Sequence, residues 1–285
     1  MTTDRRRRRG IRPELRTMLM VAHRELLTFR RNPARMIVTL VQPVAFLFIL
    51  GSGLQAASQA VGGLDYRSYI FPGVVAMAVI MPSFFAAGSV VYDREFGFLR
   101  EMLAAPVARW SIVLGKCLGG ATIAALHGAV VVACAGLVDV PYTPRVVLGL
   151  VGLAWLLGFT VVAVGLVLAS RSRQFQNYMS TVNLFALPMI LASGALFPLS
   201  GLPDWLGVVT RLDPMAYVVD PMRRIVFPTL DFSTPVAESV WLIPSEPRVT
   251  WGDTFVVPAW AELLLLGVIA ATALFVAIRR FDRAT

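Results

Sequence analysis

Residues Ser68–Tyr92 read SYIFPGVVAMAVIMPSFFAAGSVVY, closed off by Arg67 and Asp93, with no Asp, Glu, Lys or Arg between them. A helix needs about 20 apolar residues to cross the hydrocarbon core of a bilayer. A soluble core helix of this length would carry a polar stripe, and this stretch has none. Four further stretches are equally free of charge: Met36–Leu64, Cys117–Val138, Val146–Ser170 and Gln174–Pro203. A sixth, Leu263–Ile278, is shorter but intensely apolar. Backbone polar groups in lipid must be satisfied within their own segment, which helices achieve and isolated strands do not. The composition agrees, with 57% apolar residues, 15% charged residues and a mean hydropathy of +0.71. The expected fold class is an all-α integral membrane protein with six transmembrane helices.

Orientation follows from the basic residues between the spans. With the amino terminus inside, the inner segments are Met1–Arg35, Asp93–Lys116, Arg171–Arg173 and Arg279–Thr285, which hold 20 of the 26 Lys and Arg residues. The outer segments keep only Arg67, Arg145, Arg211, Arg223, Arg224 and Arg248. Both termini are therefore expected in the cytoplasm. Arg outnumbers Lys by 25 to 1, a bias suggesting a GC-rich bacterial genome and hence a multi-pass protein of the bacterial plasma (inner) membrane.

The net charge of +9 and the run Arg5–Arg9 invite a nucleic-acid reading. A basic tail beside a first span is better explained by retention of that end and contact with anionic lipid, so no nucleic-acid partner is expected. Met36–Gly53 exceeds a usual signal core and starts late for a leader, so cleavage is not expected. Cys117 and Cys134 both fall in the third span, about 25 Å apart along a helix, and read as free thiols.

Four regions emerge. Residues 1–35 form a basic tail and an amphipathic interfacial helix, in which Leu15, Met18, Leu19, Ala22, Leu26 and Phe29 recur at helical spacing among arginines. Asn32 and Pro33 break that helix. Residues 36–200 hold spans one to five, with Pro43, Pro72 and Pro82 as breaks that neighbouring helices or a cavity must accommodate. Small residues four apart, such as Ala154 with Gly158, allow close helix approach. Residues 201–258 form outer re-entrant helices and an external loop: Phe197, Pro198, Leu202, Pro203 and Trp205 interrupt a straight helix, and amphipathic pieces follow at Asp204–Leu212 and Pro214–Phe227, with Trp205 and Tyr217 expected at headgroup level. Residues 259–285 carry the sixth span and a cytoplasmic tail.

Enzyme chemistry finds no support. Lys116 lacks the glycine-rich run of a phosphate loop, His23 and His127 lack metal-ligand spacing with the cysteines, and no nucleophile elbow occurs. His127 is the one ionisable group deep in a span, either functional or a neutral imidazole bonded to a neighbouring helix. Gln42 and Asn183 pose the same choice. The segment Tyr92–Lys116 is more telling. Asp93, Arg94, Glu95, Arg100 and Glu101 alternate with Phe96, Phe98, Leu99, Met102 and Leu103 before Pro106 and Arg109. Apolar knobs among charges of both signs fit a docking surface for another protein, or a helix that merely lies at the interface.

The run Asp93-Arg94-Glu95-Phe96-Gly97-Phe98-Leu99-Arg100-Glu101-Met102-Leu103-Ala104-Ala105-Pro106, continuing through Arg109 to Gly115-Lys116, resembles the signature of ABC-2 type permeases. These are the membrane subunits of ATP-binding-cassette exporters of the daunorubicin-resistance permease kind. Arg24-Glu25-Leu26 with Arg30, Asn32 and Pro33 resembles the family's amino-terminal interfacial helix, and Tyr69-Ile70-Phe71-Pro72-Gly73 the start of its second span. Phe197-Pro198-Leu199, Leu202-Pro203 and Asp213-Pro214-Met215, with Tyr217, Asp220 and Arg223, resemble its outer re-entrant element. Pro228–Pro258 departs from the pattern as a longer outer loop.

The resemblance implies a non-catalytic subunit that works as a homodimer, or as a heterodimer with a second permease, on a cytosolic ABC ATPase. The chain would bind no cofactor, and ATP and Mg would sit in the partner. Asp93–Pro106 would be the cytoplasmic coupling helix, with Phe96, Leu99 and Leu103 packed into the ATPase and Arg94, Glu95, Arg100 and Glu101 at the rim. Dimer-facing spans one, two and five would line a substrate path with Gln42, Phe46, Phe84, Phe85, Asn183, Phe185 and Met189. Such walls suit export of a hydrophobic or amphipathic substrate (drug, antibiotic or lipid) drawn from the membrane lipid, as in efflux and antibiotic resistance. A permease for a polysaccharide or lipid-linked polymer, or a non-transporting membrane scaffold, is the rival expectation.

Overall fold

The computed structural model describes residues 11–54, 66–97, 108–196, 204–229, 250–251, 255–256 and 258–283. The described residues are helical almost throughout: α1 (Ile11–Arg30), α2 (Pro33–Leu54), α3 (Tyr66–Glu95), α4 (Arg109–Val132), α5 (Pro144–Arg171), α6 (Phe175–Ala192), α7 (Asp204–Leu212), α8 (Ala216–Val226) and α9 (Ala259–Arg283). A two-residue antiparallel ladder, Thr250–Trp251 against Phe255–Val256, is the exception to the all-α expectation.

Local signals explain the boundaries. Asn32 accepts a hydrogen bond from Arg35 N at 3.3 Å and Pro33 opens the helix, so α2 begins where α1 breaks. Thr143 caps α5 in the same way, accepting from Val146 N, with Pro144 at its first position. One wide π turn, Phe46–Leu50, interrupts α2 downstream of Pro43. Pro72 and Pro82 lie inside α3 without ending it, because both are buried and neighbouring helices hold the helix in place.

Helix α3 is the axis of the bundle, packed by α2, α4, α5, α6 and α8, while α1 lies along α4 and α9 along α5. Close approach depends on small residues. A Cβ on Gly158 would stand 2.9 Å from the Ala124 Cβ, and one on Gly128 would stand 3.0 Å from that of Ala154. The small-residue ridges read in the sequence are thus the α4–α5 contact.

Among the described residues five helices, α2, α3, α4, α5 and α9, are long and apolar enough to cross a membrane. The sequence led us to expect six. The remaining stretch, Gln174–Pro203, contributes α6, whose 18 residues span about 27 Å. Its first half carries Gln176, Asn177, Ser180, Thr181 and Asn183, which lower its hydropathy although none is charged. Charge-free and apolar are different properties, and α6 has only the first over its full length.

Candidate functional site

The short segment between α3 and α4 is where sequence reasoning concentrated the chemistry. Residues 98–107 lie outside the described residues, and with them Leu99, Arg100, Glu101, Leu103 and Pro106. Their two flanks are described in detail, and each is fastened to the bundle.

On the α3 side, Arg94 Nη1 donates to Ser172 O at 2.8 Å, closing the carboxyl end of α5, where helix carbonyls lack intrahelical partners. Glu95 Oε2 accepts from Phe175 N at 3.2 Å, at the first turn of α6. Tyr92 packs on Phe175 at 4.1 Å between ring centroids and stacks on Phe96 at 6.0 Å. Arg94 and Glu95 therefore engage the junction of α5 and α6, and Phe96, 67% exposed, is the large apolar side chain left open. On the α4 side, Glu14 of α1 accepts from Ala108 N and Ser111 Oγ, both at 3.0 Å. Arg109 Nη1 donates to Phe281 O of α9 at 3.0 Å.

Behind these flanks sits a buried ion cluster that the sequence did not announce. Lys116 Nζ donates to Glu25 Oε1, Asp93 Oδ2 and Ser89 Oγ, each at 2.8 Å. Arg24 Nη2 reaches Asp93 Oδ1 at 2.9 Å. Lys116 is 1% exposed, so the ammonium persists only because its donors meet two carboxylates and a hydroxyl. Asp93, expected at the docking surface, instead faces inward and joins α3 to α4 and α1. Gly115 makes room for the assembly: a Cβ there would fall 2.6 Å from Met18 O, so α1 can lie close enough for Glu25 to reach Lys116. The lone lysine, flanked by Gly115 and Gly119, was the available signal. Its carboxylate partners lie far off in sequence.

The residues expected along a substrate path divide. Gln42, Asn183 and Phe185 are exposed, and Phe46, Phe85 and Met189 are half-buried. Phe84 is buried in the core beside Gly165, and its carbonyl accepts from Tyr178 Oη at 2.8 Å, so it lines no open face. The exposed faces of α2 and α6 are strongly apolar, carrying Ile37, Val38, Val41, Leu184 and Leu187. His127 adopts a bonded structural arrangement. Its Nδ1 donates to Ile123 O and its Nε2 pairs with Thr39 Oγ1 of α2, both at 2.9 Å. Both cysteines are free thiols, as expected.

At the opposite end of the bundle, the chain after α6 turns back into the protein. Gly194 adopts φ 74°, and Ser193–Leu196 are buried. A Cβ on Gly73 would come within 2.2 Å of Ala195 O, so α3 touches this turn backbone to backbone. Tyr66 Oη donates to Leu196 O, and Arg223 donates to Gly194 O while lying 4.7 Å over the Tyr69 ring. Phe197, Pro198, Leu202 and Pro203 lie outside the described residues. Trp205 is 68% exposed on α7, whereas Tyr217, also expected at headgroup level, is buried and donates to Arg211 O at 2.6 Å. Between α7 and α8, burial pushes the Asp213 carboxyl up to about 8, and a hydrogen bond from Met215 N only partly offsets this.

The family described as ABC-2 type transporter matches residues 16–227 of the chain. Over 212 residues the chain is 23% identical to the putative transport permease ycf38 of Cyanophora paradoxa, covering 72% of each chain. It is 28% identical over 192 residues to nodulation protein J of Sinorhizobium fredii, covering 67% of this chain and 73% of that one. It is 27% identical over 164 residues to the probable multidrug ABC transporter permease YbhR of Escherichia coli, covering 57% of this chain and 44% of that one.

Proposed function

The chain belongs to the ABC-2 type transporter family, and we propose that it is the membrane-spanning permease of an exporter driven by a separate cytosolic ATPase. The substrate is hydrophobic or amphipathic and leaves across the plasma membrane. Residues 93–106 form the cytoplasmic coupling element, and α6 supplies a sixth crossing that ends in a re-entrant outer element. Two copies, or this chain and a second permease, meet through the apolar outer faces of α2 and α6.

The observation that carries this reading is the fastening of both flanks of residues 98–107. Arg94 and Glu95 hold the α5–α6 junction, and Glu14 and Arg109 hold the start of α4 against α1 and α9. A ligand-driven change needs contacts that differ between two states. A loop gripped by an ATPase and tied at each end to different helices would supply such contacts.

The test is co-purification of the tagged chain with an ATP-hydrolysing subunit whose turnover rises with a lipophilic compound. Replacing Glu95 and Leu99 together by Ala abolishes export and leaves membrane insertion intact. Unchanged export by that double variant sinks the assignment. A partner whose hydrolysis responds only to a saccharide polymer would favour the polymer permease instead.

A further inference from the structure

A cavity of about 80 Å3 lies in the elbow where α1 gives way to α2, between Phe29 and Phe85, with Asn32 and Arg35 on its rim. It is too small for an acyl chain and has room for a polar headgroup fragment. The charges around it decide which kind. Glu25 contributes a carboxylate to the wall, but its Oε1 already accepts from Lys116 at 2.8 Å and from Ser89 at 3.4 Å. Lys116 bonds both Glu25 and Asp93, and Arg24 bonds Asp93. Arg35 makes none of these bonds, although the Glu25 carboxylate is near enough to act on its charge.

The Arg35 guanidinium lies 4.1 Å over the Phe85 ring. Among the described residues it makes no salt bridge and no side-chain hydrogen bond. Its planar fork of N–H donors is held flat by the ring beneath it and aimed by the start of α2. Asn32 adds to the donor supply: its Oδ1 is taken by Arg35 N, and its amide N–H groups have no acceptor among the described residues. The first turn of α2 contributes the positive end of a helix dipole to the same place. The other polar lining groups are spoken for. Thr28 Oγ1 donates to Arg24 O at 2.9 Å, and Thr39 and His127 bond each other. What remains is a cluster of donors around a guanidinium that makes no salt bridge among the described residues, an arrangement that suits an anion with several acceptor oxygens.

We propose that this elbow is a phosphate-recognition site, and that it seats the phosphodiester of one membrane phospholipid. Arg35 and Asn32 bind the phosphate oxygens. The acyl chains run down the adjoining face of α2, where Val38 and Val41 are exposed. The bound lipid fills the elbow and pins the surface helix α1 to the first crossing. The site rests on α2 lying in lipid and is independent of coupling to any ATPase.

The experiment uses the purified full chain in detergent, stripped of lipid and examined by native mass spectrometry after addition of palmitoyl-oleoyl phosphatidylglycerol. The same measurement is made with dioleoylglycerol, which lacks the phosphate, and in the presence of inorganic phosphate. One phospholipid per chain is expected to survive, with dioleoylglycerol held about tenfold less well, the loss of a charge-assisted hydrogen-bond set. Arg35→Gln is expected to lower phospholipid retention about tenfold, while Arg145→Gln, at an exposed site elsewhere, leaves it unchanged. Phe85→Leu, which keeps the charge and removes its platform, is expected to lower retention roughly threefold and serves if Arg35→Gln does not fold. Equal retention of dioleoylglycerol, or retention unaffected by both Arg35→Gln and Phe85→Leu, overturns the site. Displacement of the lipid by millimolar inorganic phosphate overturns the lipid as its source.

Discussion

Lys116 Nζ lies 2.8 Å from Asp93 Oδ2, so the helix that ends before residues 98–107 is bonded to the helix that begins after them. The same ammonium reaches Glu25 of α1 at 2.8 Å. Removing it leaves two buried carboxylates facing one remaining cation. Lys116→Met is expected to destabilise the protein by about 3–5 kcal/mol, the cost of breaking a buried ion pair by deleting one partner. The midpoint of thermal unfolding in detergent reads this, and Lys116→Arg should lose less. A neutral result for Lys116→Met would mean the carboxylates are not ionised there.

Gly73 offers a steric test at the other end of α3. A methyl group at this position must displace the backbone around Ala195, since no flexible side chain is available to yield. Gly73→Ala is expected to cost about 1–3 kcal/mol by overpacking. Gly152→Ala, where an added Cβ meets nothing, should be neutral or slightly stabilising through the helix preference of Ala. The two unfolding midpoints, compared side by side, decide the matter.

Asp213 predicts a pH dependence. Its folded value of about 8 lies above the ordinary carboxyl value near 4, so from about pH 4 to 8 the folded state holds a proton that the unfolded state has released. Stability contributed by this group is therefore greatest below pH 4 and falls as pH rises, by at most about 1.4 kcal/mol per unit, levelling off above about 8. Asp213→Asn removes the slope. Unfolding midpoints from pH 5 to 9 should show the variant gaining on the parent with rising pH; parallel profiles would contradict this.

The thiols can be counted. Cys117 is fully buried in α4, whereas Cys134 is partly accessible beyond its end. A membrane-permeant maleimide is expected to modify one thiol per folded chain and two after denaturation in detergent. Mass spectrometry of the labelled peptides should assign the first to Cys134.

Arg94 fastens the end of α3 to the last carbonyls of α5. Arg94→Ala forfeits a charge-assisted contact worth about 1.5–3 kcal/mol. The expected readout is more ATP hydrolysed per molecule exported, with the amount of bound ATPase unchanged. Equal ratios in variant and parent would remove Arg94 from the proposed coupling path.

Much of the architecture was legible because it is local. Charge gaps mark α3, α4 and α5 directly, Asn32-Pro33 and Thr143-Pro144 mark helix starts, and small residues four apart mark the α4–α5 seam. What escaped was non-local. Lys116 reads as the polar end of a span, and only folding brings it to Glu25, 91 positions away, and Asp93, 23 positions away. Asp93 reads as a surface acid for the same reason. For α6, absence of charge stood in for hydropathy, and its amide and hydroxyl side chains broke that equivalence. Phe84 and Phe85 are adjacent in sequence, yet helical rotation of about 100° per residue sends one to the core and the other to the elbow cavity.

The two tethered flanks of residues 98–107 have a mechanical consequence. A segment whose two flanks are tied to different helices cannot be displaced without moving both. Under the coupling proposed above, a push on this segment would reach the α5–α6 junction through Arg94 and Glu95, and α1 and α9 through Glu14 and Arg109. One input would then have two outputs, with the Lys116–Asp93 bond linking them as a crank web links two throws on one shaft.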